Sequence, residues 1–189
     1  MDFIKQIQKY EPVDEQEVND KRLILEFIKN NDNVLLRENE IAHITSSGFI
    51  LNKTFDKVLL VHHNIYNSWC WTGGHADGEG DLLKVAIKEA IEETGVKNVY
   101  PLSQEIASID ILGVNSHIKR GKHVSSHLHL SIAYLLVCDE EEKLEINEEE
   151  NSGVKWIDID KMLDVINEEH MVYLYEKLIK KSKNIMTNK

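Results

Sequence analysis

The sequence predicts an α/β fold in which strand-like runs alternate with amphipathic helices. Three observations predict it. Segments 42–52 (AHITSSGFILN), 57–63 (KVLLVHH), 106–114 and 127–138 read as strands. Leu82, Leu83, Ala86, Ile87, Ala90 and Ile91 recur at helical spacing. With 189 residues and 42% hydrophobic content, the chain can bury a sizeable core.

Along the chain, Phe3, Ile4, Ile7 and Tyr10 suggest a short helix ending near Pro12. Asp14 to Asn30 predicts a second helix, with Val18, Leu23, Ile24, Phe27 and Ile28 as its buried stripe. These two helices could cap the domain, cover a substrate or form a dimer surface. The strands 42–52 and 57–63 follow, and Trp69-Cys70-Trp71 leads into Gly73 and Gly74. Asp81 is the expected N-cap of the next helix, because its side chain can accept from an orphan amide one turn in. Gly95 stops that helix, being the residue that most easily takes positive φ. Between the strands 106–114 and 127–138 lies a polar loop, Asn115 to Ser126, with Lys119, Arg120 and Lys122 as a compact basic cluster. Asp139 to Glu142 marks a turn, and Glu148 to Ser152 a second acidic loop before a strand at Gly153 to Ile157. Asp160 to Ile166 and Glu168 to Lys181 read as helical. The expected organisation is a helical extension over 1–38, a domain over 39–184 and a frayed tail over 185–189.

Composition narrows the function. Net charge is −11, which opposes binding to a polyanionic nucleic acid. Two cysteines give no disulfide framework and are expected to stay reduced in a cytoplasm. Residues 1–12 lack the basic and apolar regions of a signal peptide, and no apolar run reaches membrane-spanning length.

The most informative stretch is Gly73 to Val96, GGHADGEGDLLKVAIKEAIEETGV. At about 100° per residue, Glu89, Glu92 and Glu93 share an arc of roughly 100° beside the apolar stripe. Like charges at this spacing each cost a few tenths of a kcal/mol, a penalty that a bound cation would reverse. Magnesium prefers oxygen ligands and bridges readily to substrate phosphates. An isolated E-x-x-E-E also fits a solvated helix face; the glycine turn before it and the Thr94-Gly95 after it favour the metal.

This segment resembles the Nudix box: Gly, five residues, Glu, seven residues, Arg-Glu, an apolar residue, any residue, Glu-Glu, any residue, Gly, an apolar residue. Aligned without gaps, Gly74 is the first Gly, Lys88-Glu89 stands at Arg-Glu, Glu92-Glu93 at Glu-Glu, Gly95 at Gly and Val96 at the last site. Two positions depart from the pattern. Its first Glu falls on Gly80, with Glu79 one place away, and its Arg is Lys88. In the family those two positions pair electrostatically, and Lys lacks the bidentate fork of Arg. The resemblance implies a Nudix-type α/β/α sandwich around a mixed β-sheet, here with extra N-terminal helices. It implies Glu89, Glu92 and Glu93 as ligands of Mg2+, or of Mn2+, and a small nucleotide-like diphosphate as substrate. The reaction it implies is attack by water within the phosphate chain, which makes the protein a pyrophosphohydrolase. The general base is expected among Glu92 and Glu93 or in a later loop, where Glu149 and Glu150 are the candidates. A homodimer is compatible with the family, and neither nucleic acid nor membrane is expected as a partner. Two other readings remain. One is a Nudix-fold module that senses a nucleotide without turnover. The other is an isoprenoid diphosphate isomerase, a related family with a catalytic cysteine and a histidine-rich metal site; Cys70 lies just ahead of the box.

Gly73, Gly74, His75, Lys88, His127 and His129 are the expected substrate-binding residues. In His127-Leu128-His129-Leu130 the alternation turns both histidines to one sheet face, where they suit a metal, a phosphate or a merely polar surface. His62 and His63 are neighbours and point opposite ways. Trp69 and Trp71 stack on a base or plug the core, with at least one expected in the core.

Overall fold

The computed structural model describes residues 2–119 and 121–187. Helices α1 (Phe3–Lys9) and α2 (Glu15–Asn30) precede β1 (Ala42–Leu51) and β2 (Lys57–His63). The short strands β3 (Ser68–Cys70) and β4 (Thr72–His75) lead to α3 (Leu82–Thr94). Then come β5 (Val99–Pro101), β6 (Ser108–Val114), β7 (His117–Lys119), β8 (Lys122–Val124), β9 (His127–Cys138) and β10 (Asn151–Asp158). A 3₁₀ helix, Ile159–Val165, and α4 (Glu169–Thr187) complete the described chain.

The main sheet is mixed. Its order is β10-β2-β1-β9-β5, with β3 on β2, β4 on β1 and β6 on β9. The β1–β9 pairing is parallel over ten residues, from Ala42↔Leu128 to Leu51↔Val137, and the other pairings are antiparallel. β1 is buried along its whole length, as a central strand covered on both faces must be. One face carries Ala42, Ile44, Ile50, Leu130, Ile132, Tyr134 and Leu136 into a core shared with Leu82, Leu83, Ala86 and Ala90 of α3. The other carries Phe49, Leu51, Ala133 and Leu135 onto Met171, Leu174, Tyr175 and Leu178 of α4. The result is an α/β/α sandwich.

The caps of α3 follow the sequence reading. Asp81 accepts from the Lys84 amide at 3.1 Å, and Gly95 takes φ 76° while its N–H donates to the Ile91 carbonyl at 2.9 Å. Asp14 caps α2 by accepting from the Glu17 amide.

Several elements differ from expectation. Gly73 and Gly74, expected in a turn, lie in β4 opposite Ser47 and Ser46 of β1. The stretch 115–126 contains the β7–β8 hairpin, in which Lys119 pairs with Lys122; Arg120 lies outside the described residues. Helix α4 runs on through residues 182–187, beyond its expected end and into the segment expected to fray. In α2, Ile24 is buried but Val18 and Leu23 are exposed, because the helix docks through a charged residue, Glu17, which is fully buried. The Lys177 ammonium of α4 reaches Glu17 at 2.9 Å and Asp110 of β6 at 2.7 Å. Tyr10 donates to Glu17 at 2.6 Å, and Ser108 donates to it at 3.2 Å. Ile7, Tyr10 and Ile24 join the α3-side core, so the N-terminal helices are packed elements of the sandwich.

Candidate active site

A cleft of about 470 Å³ opens where β1, β4 and β9 meet the end of α3 and the start of α4. Alternation along the strands makes it polar. His43, Thr45 and Ser47 of β1, Gly73 and His75 of β4, and His127, His129 and Ser131 of β9 all line it. Further along β1 and β9 the same face turns apolar, at Phe49, Leu51, Ala133 and Leu135, under α4.

Glu89, Glu93 and Glu150 enter this cleft from two directions. Glu93 is 4% exposed, and its carboxyl is pushed up to about 8 by burial, with Glu89 and Glu150 adding like charge. The Gly73 N–H, 3.4 Å from Glu93 Oε1, opposes that shift. Burial also raises Glu89, against the pull of Lys88. Glu89 lies so close over Gly74 that a Cβ there would stand 2.4 Å from its carboxyl carbon. Glycine at position 74 is therefore what lets this carboxylate lie over β4. The buried Asn151 amide is near enough to lower the Glu93 pKa but has no hydrogen bond of good geometry. No cationic side chain among the described residues pairs with Glu93. Two desolvated carboxylates, with a third close by, form an oxygen donor set with excess negative charge, which fits a hard divalent cation.

The other expected residues divide. Gly73, Gly74, His75, His127 and His129 line the cleft. Glu92 and Lys88 lie outside its lining: Lys88 holds Glu92 at 2.9 Å and Glu89 at 3.1 Å, bridging the two. Glu149 is exposed, whereas its neighbour Glu150 faces the cleft. His63 is stacked on Tyr66 at the cleft, while His62 contacts Ser152. Trp71 is buried edge-on against Tyr175, and Lys155 stands 4.1 Å over the ring of Trp69.

The departures at Gly80 and Lys88 have a structural counterpart. Glu79 pairs with Lys84 at 2.6 Å, on the outside of the turn. The bidentate fork comes from Arg37, which grips Asp77 at 2.7 and 2.6 Å. Asp77 sits at φ 47°, and the pair pins the loop between β4 and α3. Arg37 holds the Asp77 carboxyl below its usual range. Sequence reasoning missed this residue, since it lies forty positions upstream in a segment without periodicity. It also missed His43, which the parallel register sets opposite His129.

Solved structures share the fold. An Ap4A hydrolase from C. elegans matches with a TM-score of 0.53 at 16% identity, over 77% of this chain and 98% of that one. The E. coli dihydroneopterin triphosphate pyrophosphohydrolase gives 0.54 at 13%, over 73% and 92%. A NUDIX-family hydrolase from Clostridium perfringens gives 0.50 at 23%, over 73% and 96%. No curated protein matches by sequence. Among the described residues, no helix is long and apolar enough to cross a membrane. The family model of the NUDIX domain matches residues 42–178, most of the 189, and the chain belongs to that family.

Proposed function

We propose that this protein is a cytoplasmic, divalent-metal-dependent hydrolase that cleaves a diphosphate linkage in a nucleoside diphosphate derivative. The observation that carries the reading is Glu93: a buried carboxylate with a raised pKa, in one cleft with Glu89, Glu150 and the Gly73–Gly74 segment of β4. Magnesium or manganese, when bound, would neutralise diphosphate oxygens and lower the pKa of an attacking water. Glu89 and Glu93 would hold it, with Glu92 joined to Glu89 through Lys88. Glu150, which faces the cleft, is the residue to take the proton from water; Glu149 faces solvent. The clamped Arg37–Asp77 loop and the Gly73 and Gly74 backbone set the shape of the phosphate end. The phosphorylated compounds named for two structural neighbours, Ap4A and dihydroneopterin triphosphate, are the substrate class in view.

The isomerase alternative gains no support from Cys70. Its thiol is 8% exposed, and burial pushes its pKa well above the usual range, which disfavours a role in proton transfer.

The test is a panel of nucleoside diphosphate derivatives with magnesium, run on the wild type and on Glu93→Gln, with products separated by chromatography. Turnover that disappears with chelator and falls at least a hundredfold in the variant is expected. Ligand-induced thermal stabilisation without turnover of any panel member would replace the hydrolase reading with the sensor.

A further inference from the structure

Four imidazoles converge at the end of the cleft, on three strands. His43 comes from β1, His75 from β4, and His127 and His129 from β9. One ring nitrogen from each lies within 4.8 Å of all the others. The rings pack at centroid distances of 4.9 to 5.2 Å. We infer that His43, His75, His127 and His129 form a second metal site, built for a borderline divalent ion of the zinc class and separate from the glutamate set.

The hydrogen bonds around the cluster orient its donors. His43 Nδ1 lies 2.9 Å from the Asn39 carbonyl, and His127 Nδ1 lies 2.9 Å from the Ser125 carbonyl. A carbonyl only accepts, so each Nδ1 carries the proton and each Nε2 presents its lone pair. This is the outer arrangement that metal-ligating histidines use. His43 is 5% exposed, and its Nε2 is buried without any hydrogen-bond partner. His127 Nε2 and His129 Nε2 are 3.2 Å apart. Two nitrogens on one tetrahedral zinc, each at 2.0–2.1 Å, stand about 3.3 Å apart. That pair is therefore already at ligand spacing, and the other two need movements of about 1 Å, within side-chain rotation.

The donor type decides the ion. Imidazole suits zinc, iron, copper and nickel, whereas magnesium requires oxygen. A phosphate would need protonated rings, whereas His43 and His127 turn lone pairs inward and His129 would release its Nε2 proton on binding the ion. Arg37, whose charge reaches His43 and His129, is paired bidentately with Asp77, so it opposes a cation less than a free guanidinium would.

The test strips the full-length protein with chelator and titrates it with zinc by calorimetry in excess magnesium. Cobalt serves as a visible-absorption probe of nitrogen coordination. One zinc per chain that magnesium does not displace is expected, with loss of affinity of at least about tenfold in His127→Ala and in His129→Ala. His123→Ala, from the neighbouring hairpin, and Glu93→Gln are expected to retain it. Circular dichroism checks folding; if His129→Ala does not fold, His127→Ala, half-buried at the start of β9, decides. No zinc retained in magnesium, or equal loss in His123→Ala or Glu93→Gln, would overturn the inference. Because Glu93→Gln keeps the histidine site, failure of the hydrolase reading and failure of this one are distinguishable.

Discussion

Replacing Glu93 by glutamine separates what this carboxylate costs the fold from what it does in the cleft. Its pKa stands at about 8 in the metal-free fold, against 4.5 for an ordinary glutamate. Below about pH 4.5 the group is protonated in both folded and unfolded chains, and no penalty exists. As pH rises from there, the unfolded chain ionises while the folded one resists, and stability falls by about 1.4 kcal/mol per pH unit. Above pH 8 the loss levels off. The full penalty is about 3 to 5 kcal/mol, and glutamine, never ionising, escapes it. In chelator at pH 8.5, Glu93→Gln is therefore expected to be more stable than wild type, with a melting temperature roughly 10 °C higher for a chain of this size. The gap closes as pH falls toward 4.5. Added magnesium reverses the order at high pH, since it stabilises the ionised wild type and has lost a ligand in the variant. The assay is thermal denaturation from pH 4.5 to 9, with and without metal. A stability difference that does not vary with pH, or a variant less stable than wild type in chelator at pH 8.5, would refute the reasoning.

Three other perturbations test neighbouring steps. Gly74→Ala puts a methyl against the Glu89 carboxylate, the far end of a flexible side chain; stability should change by under about 1 kcal/mol. The magnesium concentration for half-activity, read by titration, should rise about tenfold. Lys177→Met leaves Glu17 and Asp110 buried without their nearest cation and should cost about 3 to 5 kcal/mol in urea denaturation at pH 7. That cost should shrink on acidification, because stranded carboxylates can protonate. Arg37→Ala breaks a half-exposed pair and should cost under about 1 kcal/mol. It should still raise KM several-fold by loosening the loop, and Arg37→Lys should rescue only part of this because it lacks the fork.

What could be read from the sequence follows the range of the physics involved. Helix α3 was legible to its caps, since Asp81, the apolar stripe and Gly95 act within a turn of one another. β2 and β9 were legible to the residue, because alternation and apolar runs are local. The placement of His127 and His129 on one face followed from the period of two alone. The α2 stripe held at Ile24, Phe27 and Ile28 but failed at Val18 and Leu23, for the opposite reason. Its contact face was set in part by Lys177, 160 positions after Glu17, and nothing within the helix announces that a glutamate will be as buried as Ile24. The short strands β3, β4 and β5 and the β7–β8 hairpin gain their pairing from strands far along the chain or across a turn, and they carry too few residues for a pattern.

The same limit governs the cleft. Glu89 and Glu93 announce themselves because they sit one helical turn apart on α3. The residues that shape their surroundings come from elsewhere: Arg37 from the segment before β1, His43 from β1, Glu150 from the loop before β10. The meeting of His43 with the β9 histidines depends on the parallel register of β1 with β9, which sets His43 beside His129 and Ser47 beside Ala133. β4 then lies antiparallel on β1 at Thr45 to Gly48, bringing His75 and the two glycines to the same end. A slip of one residue in either pairing would turn His43 or His75 away from the cleft and into the α3-side core. The apolar partners on that side, Ile44, Leu130 and Ala76, are all at most 3% exposed. Burying them is what holds the register, so the hydrophobic face of the sheet fixes the chemistry displayed on its polar face.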